Sequence, residues 1–420
     1  MSHRNWIILT LGLVSTTFSQ SVMNGFGIGQ INSMLNVSSL AKGSFGLTPD
    51  YSSAVALNNP ATWHHLKYSY IQNEYAGRQI TRDGGGVNRS SGLNRTQVII
   101  PIKQKYSIGL SLAPFSKQQL LLAAPEDSLA NAITFNGEGG ANIFRISIGG
   151  HIDSSDAFGF SLSYLFGSSR QEYSVFIDET LFRQTHRLAY DGILLDVFFS
   201  TRRLESWVRD LSLYGQIRIP ITALDVKQYS FFPFEDNNAS GYHDRSNITS
   251  QQDFPDPGAV PGPSLTVFNK QYSPTEIILG AMRGDKSSWI SSIEIKYLQN
   301  NSAFDPTLSP FYNQISGQVG LNLALSHFGP DVVKEWWDRF RVSTGYFYNN
   351  YALENRSQAI IENGIALGFG FKFGTTENTL GFSYQLVNTT GLPGGMTEFS
   401  NRFAVGISLG DIWFIKRRQL

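Results

Sequence analysis

Leu367-Gly368-Phe369-Gly370-Phe371-Lys372-Phe373-Gly374 is the stretch that decides the fold. Large apolar residues alternate with small or neutral ones. The pattern returns at Leu380, Phe382, Tyr384 and Leu386, and again at Phe403, Val405, Ile407 and Leu409. Working back toward the N-terminus, Tyr106-Ile108-Leu110-Leu112 and Phe158-Phe160-Leu162-Tyr164-Phe166 repeat it. Side chains on a strand point to opposite faces with period two, so each segment has one greasy face. The other face holds Gly, Ser, Ala and Asn rather than the Lys, Glu and Thr that a soluble sandwich shows to water. A face of that kind suits the lumen of a barrel whose greasy side meets lipid. The expected fold is all-β, a transmembrane antiparallel barrel.

Composition agrees. Charged residues make up 16% of the 420-residue chain, against about 25% in average soluble domains. With 33 basic and 33 acidic residues there is no basic field for nucleic acid. There is no Cys, which removes disulfides, thiol catalysis and Cys-ligated zinc. Residues 1–20 read as a signal peptide, with His3 and Arg4 ahead of an apolar run from Trp6 to Val14. That run falls short of the roughly 20 residues that cross a bilayer as a helix, and no later segment reaches that length without charge. A membrane protein lacking a spanning helix must be a closed barrel.

Alternation and turn chemistry mark about fourteen strands. They fall near 64–75, 93–103, 105–113, 141–151, 156–167, 187–201, 210–220, 276–283, 287–298, 315–326, 338–349, 363–374, 377–388 and 398–409. Connections alternate between short turns and long loops, the rhythm of barrels with short periplasmic turns. Long loops are expected at 76–92, 114–140, 168–186, 221–275, 299–314, 350–362 and 389–397. The 221–275 loop is rich in Pro and carries Phe231, Phe232, Phe234 and Tyr242. Short helices are expected at Arg202–Asp210, around Trp207, and at Asp331–Phe340, around Trp336 and Trp337. The expected organisation is a signal peptide at 1–20, an N-terminal hatch or plug at 21–62, and the barrel at 63–420.

Catalytic and metal chemistry find no pattern. His64-His65 sits beside the expected first strand, where neighbours face opposite ways and cannot share one metal. Asp236, Asp244, Asp253 and Asp256 lie in the long loop without a regular calcium-ligand spacing. Gly84-Gly85-Gly86 is not followed by the Gly-Lys-Ser/Thr of a phosphate loop. The expectation is a protein that is not an enzyme, with no cofactor and no metal.

Residues 24–61 bring a resemblance. A Gly-rich stretch, Asn24-Gly25-Phe26-Gly27-Ile28-Gly29, precedes Asp50, Ser52 or Ser53, Ala54 and then Asn59-Pro60-Ala61. This opening resembles the FadL family of outer-membrane hydrophobic-compound transporters (OMPP1/FadL/TodX), and is shared by PorV-like barrels of type IX secretion. The ending from Ser408 to Arg418, with Trp413, Phe414, Lys416 and Arg417, is similar to that of some FadL-like barrels, although the chain closes on Leu420 rather than on an aromatic residue. The resemblance implies a fourteen-stranded barrel in the bacterial outer membrane with an N-terminal hatch in its lumen. It implies passive passage of hydrophobic small molecules such as long-chain fatty acids, released sideways through the wall. Asn59, Pro60 and Ala61 would be the hatch motif. Arg78, Arg82 and Lys117 lie near outer strand ends, where a carboxylate would want cations, but no ligand-binding residue is singled out. Outer-membrane lipid and a hydrophobic small molecule are the expected partners. The alternative is a PorV-like barrel that engages a secreted protein at its outer loops.

Overall fold

The computed structural model describes residues 21–411, apart from 33–34, 51–54, 83–86, 103–104, 124–132, 178–179, 246–250, 285–288, 330–334 and 374–377. The signal-peptide segment, Gly84-Gly85-Gly86 and the tail from Ile412 therefore lie outside the described residues.

Fourteen strands form the wall: β1 (Ser69–Arg82), β2 (Val87–Ile102), β3 (Tyr106–Pro114), β4 (Ile133–His151), β5 (Asp156–Ile177), β6 (Thr180–Thr201) and β7 (Leu211–Ser230), then β8 (Pro274–Arg283), β9 (Trp289–Asn300), β10 (Ile315–Phe328), β11 (Phe340–Leu353), β12 (Arg356–Phe373), β13 (Asn378–Thr390) and β14 (Glu398–Asp411). Each pairs antiparallel with its neighbours, and β14 pairs with β1 from Glu398 opposite Arg82 to Asp411 opposite Ser69. The barrel is closed, so it leaves no edge along most of its girth.

The alternation that opened the sequence sets the two faces. On β12, Leu367 is 52% exposed while Ala366 is fully buried. Phe382, Tyr384, Phe403, Ile407 and Leu409 likewise point out, and Ser383, Gln385, Ala404 and Ser408 point in. The outer surface is a continuous apolar band, and the chain is a transmembrane antiparallel β-barrel.

Two expectations need correction. Residues 76–92, 168–186 and 350–362 are largely strand rather than loop: β1 and β2, β5 and β6, and β11 and β12 form long hairpins. Beyond the lipid band both faces meet water, so the ladder continues without the apolar alternation that would reveal it. The first strand begins at Ser69 rather than near 64, because Pro60–His65 forms a 3-10 helix. Asn59 caps it, accepting from Ala61 N, and Pro60 presets its first turn. The short helical turns at Arg203–Ser206 and Trp336–Arg339 appear where expected.

We call the end of the wall that carries Ser69 and Asp411 the turn end, and the opposite end the loop end. The N-terminal segment begins at the loop end. There Val22 and Phe26 pack with Leu353, Ile360 and Leu392 of the rim. It descends along the inward face through helix α1 (Val37–Lys42) and reaches β1 at the turn end. The wall makes room for it with glycine. A Cβ at Gly345 would run into the Lys42 carbonyl, one at Gly368 into Ala41, and one at Gly149 into the Pro60 carbonyl.

Candidate functional site

The wall has one local break among the described residues. β3 is short and pairs with β2 only from Thr96–Leu112 to Ile102–Tyr106. After Pro114 the chain leaves the wall plane. Ser116 and Lys117 pair inward with Ile31 and Gln30 of the N-terminal segment. Phe115 N and Gln118 N donate to Ala141 O and Gly139 O, and Leu120–Ala123 then pairs with β4. The upper half of β2, Val87–Arg95, therefore pairs with β1 but has no ladder partner on its other side among the described residues. The result is a gap beginning about halfway up the wall.

A cavity of 720 Å³ lies behind this gap. Gly92 and Asn94 line it from β2, and Ser116 and Lys117 from the opposite lip. Leu35, Leu40 and Phe45 of the N-terminal segment form its floor, and Phe347 and Phe166 contribute apolar wall. Its charge is uneven. Arg402 is paired with Glu362. Arg78 donates to Gln30 Oε1 at 2.7 Å, but its buried Nε has no acceptor among the described residues. Lys117 lines the same cavity, and its ammonium has no hydrogen-bond or ion-pair partner among the described residues. Burial pushes the Lys117 ammonium down from its usual range, and the nearby Arg78 charge adds to the shift. Arg82, the third cation considered from the sequence, does not line the cavity; it pairs with Glu398 at 3.2 Å.

A second cavity, of 300 Å³, lies toward the turn end and is lined by Val37, Ser38, Asp50, Leu66 and Arg341. Helix α1 stands between the two, with Leu40 on the upper and Val37 on the lower. Wall side chains hold it. Glu74 accepts from Val37 N at 2.8 Å, Gln385 donates to Leu40 O at 2.7 Å, and Asn322 donates to Lys42 O at 2.9 Å. Asn94, on the lip of the gap, donates to Leu35 O and to Glu74. Two other inward glutamates do the same work: Glu294 accepts from Thr48 N and Phe45 N, and Glu398 from Val22 N and Ser21 Oγ. Asp50 faces Lys42 and Arg341, each at 3.3 Å. Burial pushes the Asp50 carboxyl up, but those two cations outweigh it and hold it below the usual range. The sequence reading missed these glutamates, although each is a carboxylate at a lumen-face position of a strand.

Nearer the turn end than the cavity, Arg145, Asp196, Arg218, Glu276 and Lys296 form a buried ionic chain. Its links are Arg145–Asp196 at 3.3 Å, Arg218–Asp196 at 2.6 Å, Arg218–Glu276 at 3.1 Å and Lys296–Glu276 at 2.8 Å. Removing one partner from such a chain leaves an uncompensated charge, so it acts as a brace across β4 and β6–β9.

Asn59, Pro60 and Ala61 line neither of these two cavities. Asn59 is fully buried and donates to Leu47 O at 2.9 Å, while Pro60 and Ala61 lie against Gly149 and Gly159. The motif pins the N-terminal segment to β4 and β5. His64 and His65 stand on the 3-10 helix, not on a strand, and their rings are 3.9 Å apart. Burial pushes His64 down to about 4 and His65 to about 3; the His64 charge adds to the His65 shift, and Arg202 and His151 add to both. In the long loop, Asp236 accepts from Ser240 N and Gly241 N and pairs with Arg183. Asp253 accepts from Asn237 N and Asp244 N, and Asp256 pairs with Arg245. These carboxylates tie the loop together. No group of three or more His, Asp or Glu that could hold a metal occurs among the described residues.

Comparison with solved structures fits this architecture. The chain is similar to a Pseudomonas aeruginosa FadL homologue (TM-score 0.57, 10% identity, covering 91% of this chain and 98% of that one). It is similar to a TodX monoaromatic hydrocarbon channel lacking S2 and S3 (0.54, 10%, 90% and 99%) and to the CymD monoaromatic hydrocarbon channel (0.53, 9%, 93% and 98%). At such identities the likeness is one of fold. No curated protein matches the chain in sequence. A family model does match, over residues 1–419, and the chain belongs to the BamG family.

Proposed function

We propose that this barrel sits in the bacterial outer membrane and passes small hydrophobic molecules, entering at the loop end and leaving sideways through the gap beside β2. The observation that carries the reading is the coincidence of that gap with the 720 Å³ cavity. A ligand held there has a route into lipid. The straight route through the lumen is obstructed by α1, its wall contacts and the ionic chain. Burial is worth about 0.8 kcal/mol per CH₂, and sideways release spares an apolar ligand from returning its methylenes to water. The solved channels of similar fold are named for hydrocarbons, which supports the ligand class.

Long-chain fatty acids are the finer proposal. Arg78 and Lys117, neighbouring cations that make no ion pair among the described residues, favour an anionic head beside an apolar chain. The N-terminal segment acts as the hatch, with α1 as the barrier between the cavities and Asn59-Pro60-Ala61 as its anchor.

Uptake of labelled oleate by cells with and without the gene tests transport. Gly92 lines the cavity and a Cβ there would meet open space, so Gly92→Trp is expected to place its bulk at the gap. Uptake is expected to fall to the level of cells lacking the gene. Full uptake by Gly92→Trp would rule out the side exit, and equal uptake with and without the gene would rule out transport.

A further inference from the structure

The smaller cavity is separated from the larger by α1 and has its mouth at the turn end. Lys67, which is exposed, and Arg339, from the short turn before β11, stand at that mouth. Its volume of 300 Å³ is at the lower end of the roughly 300–1,000 Å³ that small-molecule pockets occupy. Its two sides differ in chemistry. The N-terminal segment supplies Val37, Leu57 and Leu66, the last two from one apolar cluster with Trp63. The wall supplies polar groups at inward positions. Lys372 of β12 stands opposite Thr379 of β13, and Thr379 opposite Ser408 of β14, so the three form a row across the strands. Arg341 of β11 stands opposite Gly370, two residues before Lys372 on the same face.

The charges of the lining do not balance. Lys67, Arg339, Arg341 and Lys372 face two carboxylates, Asp50 and Asp338. Asp50 is shared between Arg341 and Lys42, each at 3.3 Å. Asp338 accepts from Glu335 N at 3.0 Å, on the turn that ends at Arg339. Lys67, Arg339 and Lys372 make no ion pair among the described residues. Diagonal neighbours across a ladder are about 7–8 Å apart, and like charges set so close on one face repel. The wall nevertheless keeps Arg341 and Lys372 on the lumen face. It also gives the Arg341 guanidinium room: a Cβ at Gly381 would lie 2.9 Å from Nη2, and one at Gly370 would run into Nε. An anion placed between the two cations removes the repulsion, and the hydroxyls of Thr379 and Ser408 lie in the same row to donate to it.

We propose that this cavity is a second ligand site, which takes a small amphipathic carboxylate from solution at the turn end. The carboxylate sits on Lys372 and Arg341 beside the Thr379 and Ser408 hydroxyls, and the apolar tail lies on Leu57 and Leu66. A bare inorganic anion would leave that apolar side unused, and an uncharged chain would leave the cations facing one another. The site stands apart from the transport reading, whose ligand stays above α1 and leaves through the gap beside β2.

Photolabelling of the full chain in lipid nanodiscs tests it, with octanoate carrying a diazirine near its tail as the probe and the matching octanol as the uncharged control. Mass spectrometry is expected to find acid adducts within residues 55–66, and about tenfold fewer with the alcohol, the loss of one charge-assisted contact. Lys372→Gln with Arg339→Gln is expected to cut the acid adducts there by a similar factor and to spare any around Leu40 and Phe347 in the larger cavity. Lys372→Arg, which keeps the charge, should retain them. Acid adducts around Leu40 and Phe347 alone would overturn this site and leave the transport reading standing. Adducts at 55–66 that acid and alcohol give equally, or that the double substitution leaves unchanged, would also overturn it.

Discussion

A carboxylate aimed into a barrel must find donors, and Glu74, Glu294 and Glu398 find them on the backbone of the N-terminal segment. The opposite device, a missing side chain, works at Gly345 and Gly149, where the segment's carbonyls take the space of a Cβ. Gly345→Val should force the Lys42 carbonyl away, at about 1–3 kcal/mol for overpacking. Limited proteolysis should then nick the segment near α1, whereas Gly92→Val, which meets open space, should leave it resistant. The histidines give a pH dependence. Unfolded, each binds a proton near pH 6.5. Folded, burial holds His64 at about 4 and His65 at about 3, with His151 and Arg202 as the charged neighbours. The unfolded chain thus takes up protons first, and the stability these residues contribute at neutral pH is lost as pH falls from about 6.5 toward those values. Trp63 fluorescence should report loosening at pH 4.5, and His64→Gln with His65→Gln should flatten the change. Alternation carries the first strand back over these two residues, whereas Asn59 and Pro60 start a capped 3-10 turn there.

Among the elements, β3 matters most by being short. Its alternation, Tyr106 to Leu112, was legible, and so was its end at Pro114. The departure of residues 115–119 into the lumen was not, because it depends on pairing with Gln30 and Ile31, remote in sequence. The 3-10 helix at Pro60–His65 is a different case. Asn59-Pro60-Ala61 stood out by resemblance, and the structure shows what the residues do: a capped turn pressed on two wall glycines. Replacing the three with a Gly-Ser linker removes a cap worth roughly 1 kcal/mol and the fit against β4 and β5. Hydrogen exchange should rise through Trp63 and Leu66. Oleate flux should change as well if the segment gates passage; unchanged flux with raised exchange would leave the motif an anchor alone.

At the scale of the molecule, fourteen strands were legible in order because lipid imposes one rule on every outward side chain. Where that rule stops, at the tops of β1, β2, β5 and β6, strand was mistaken for loop. The lumen was the least legible region, since its contacts join Val22 to Glu398 and Lys42 to Asn322 across hundreds of residues. One of those contacts bears on how the molecule is made. Glu398 opens β14, stands opposite Arg82 of β1, and also grips Ser21 and Val22. The seam that seals the cylinder and the knot that ties off its thread are the same few atoms. A chain whose early residues are not yet inside lacks part of what draws its last strand home, so a ring zipped shut around an empty bore is disfavoured at the final stitch.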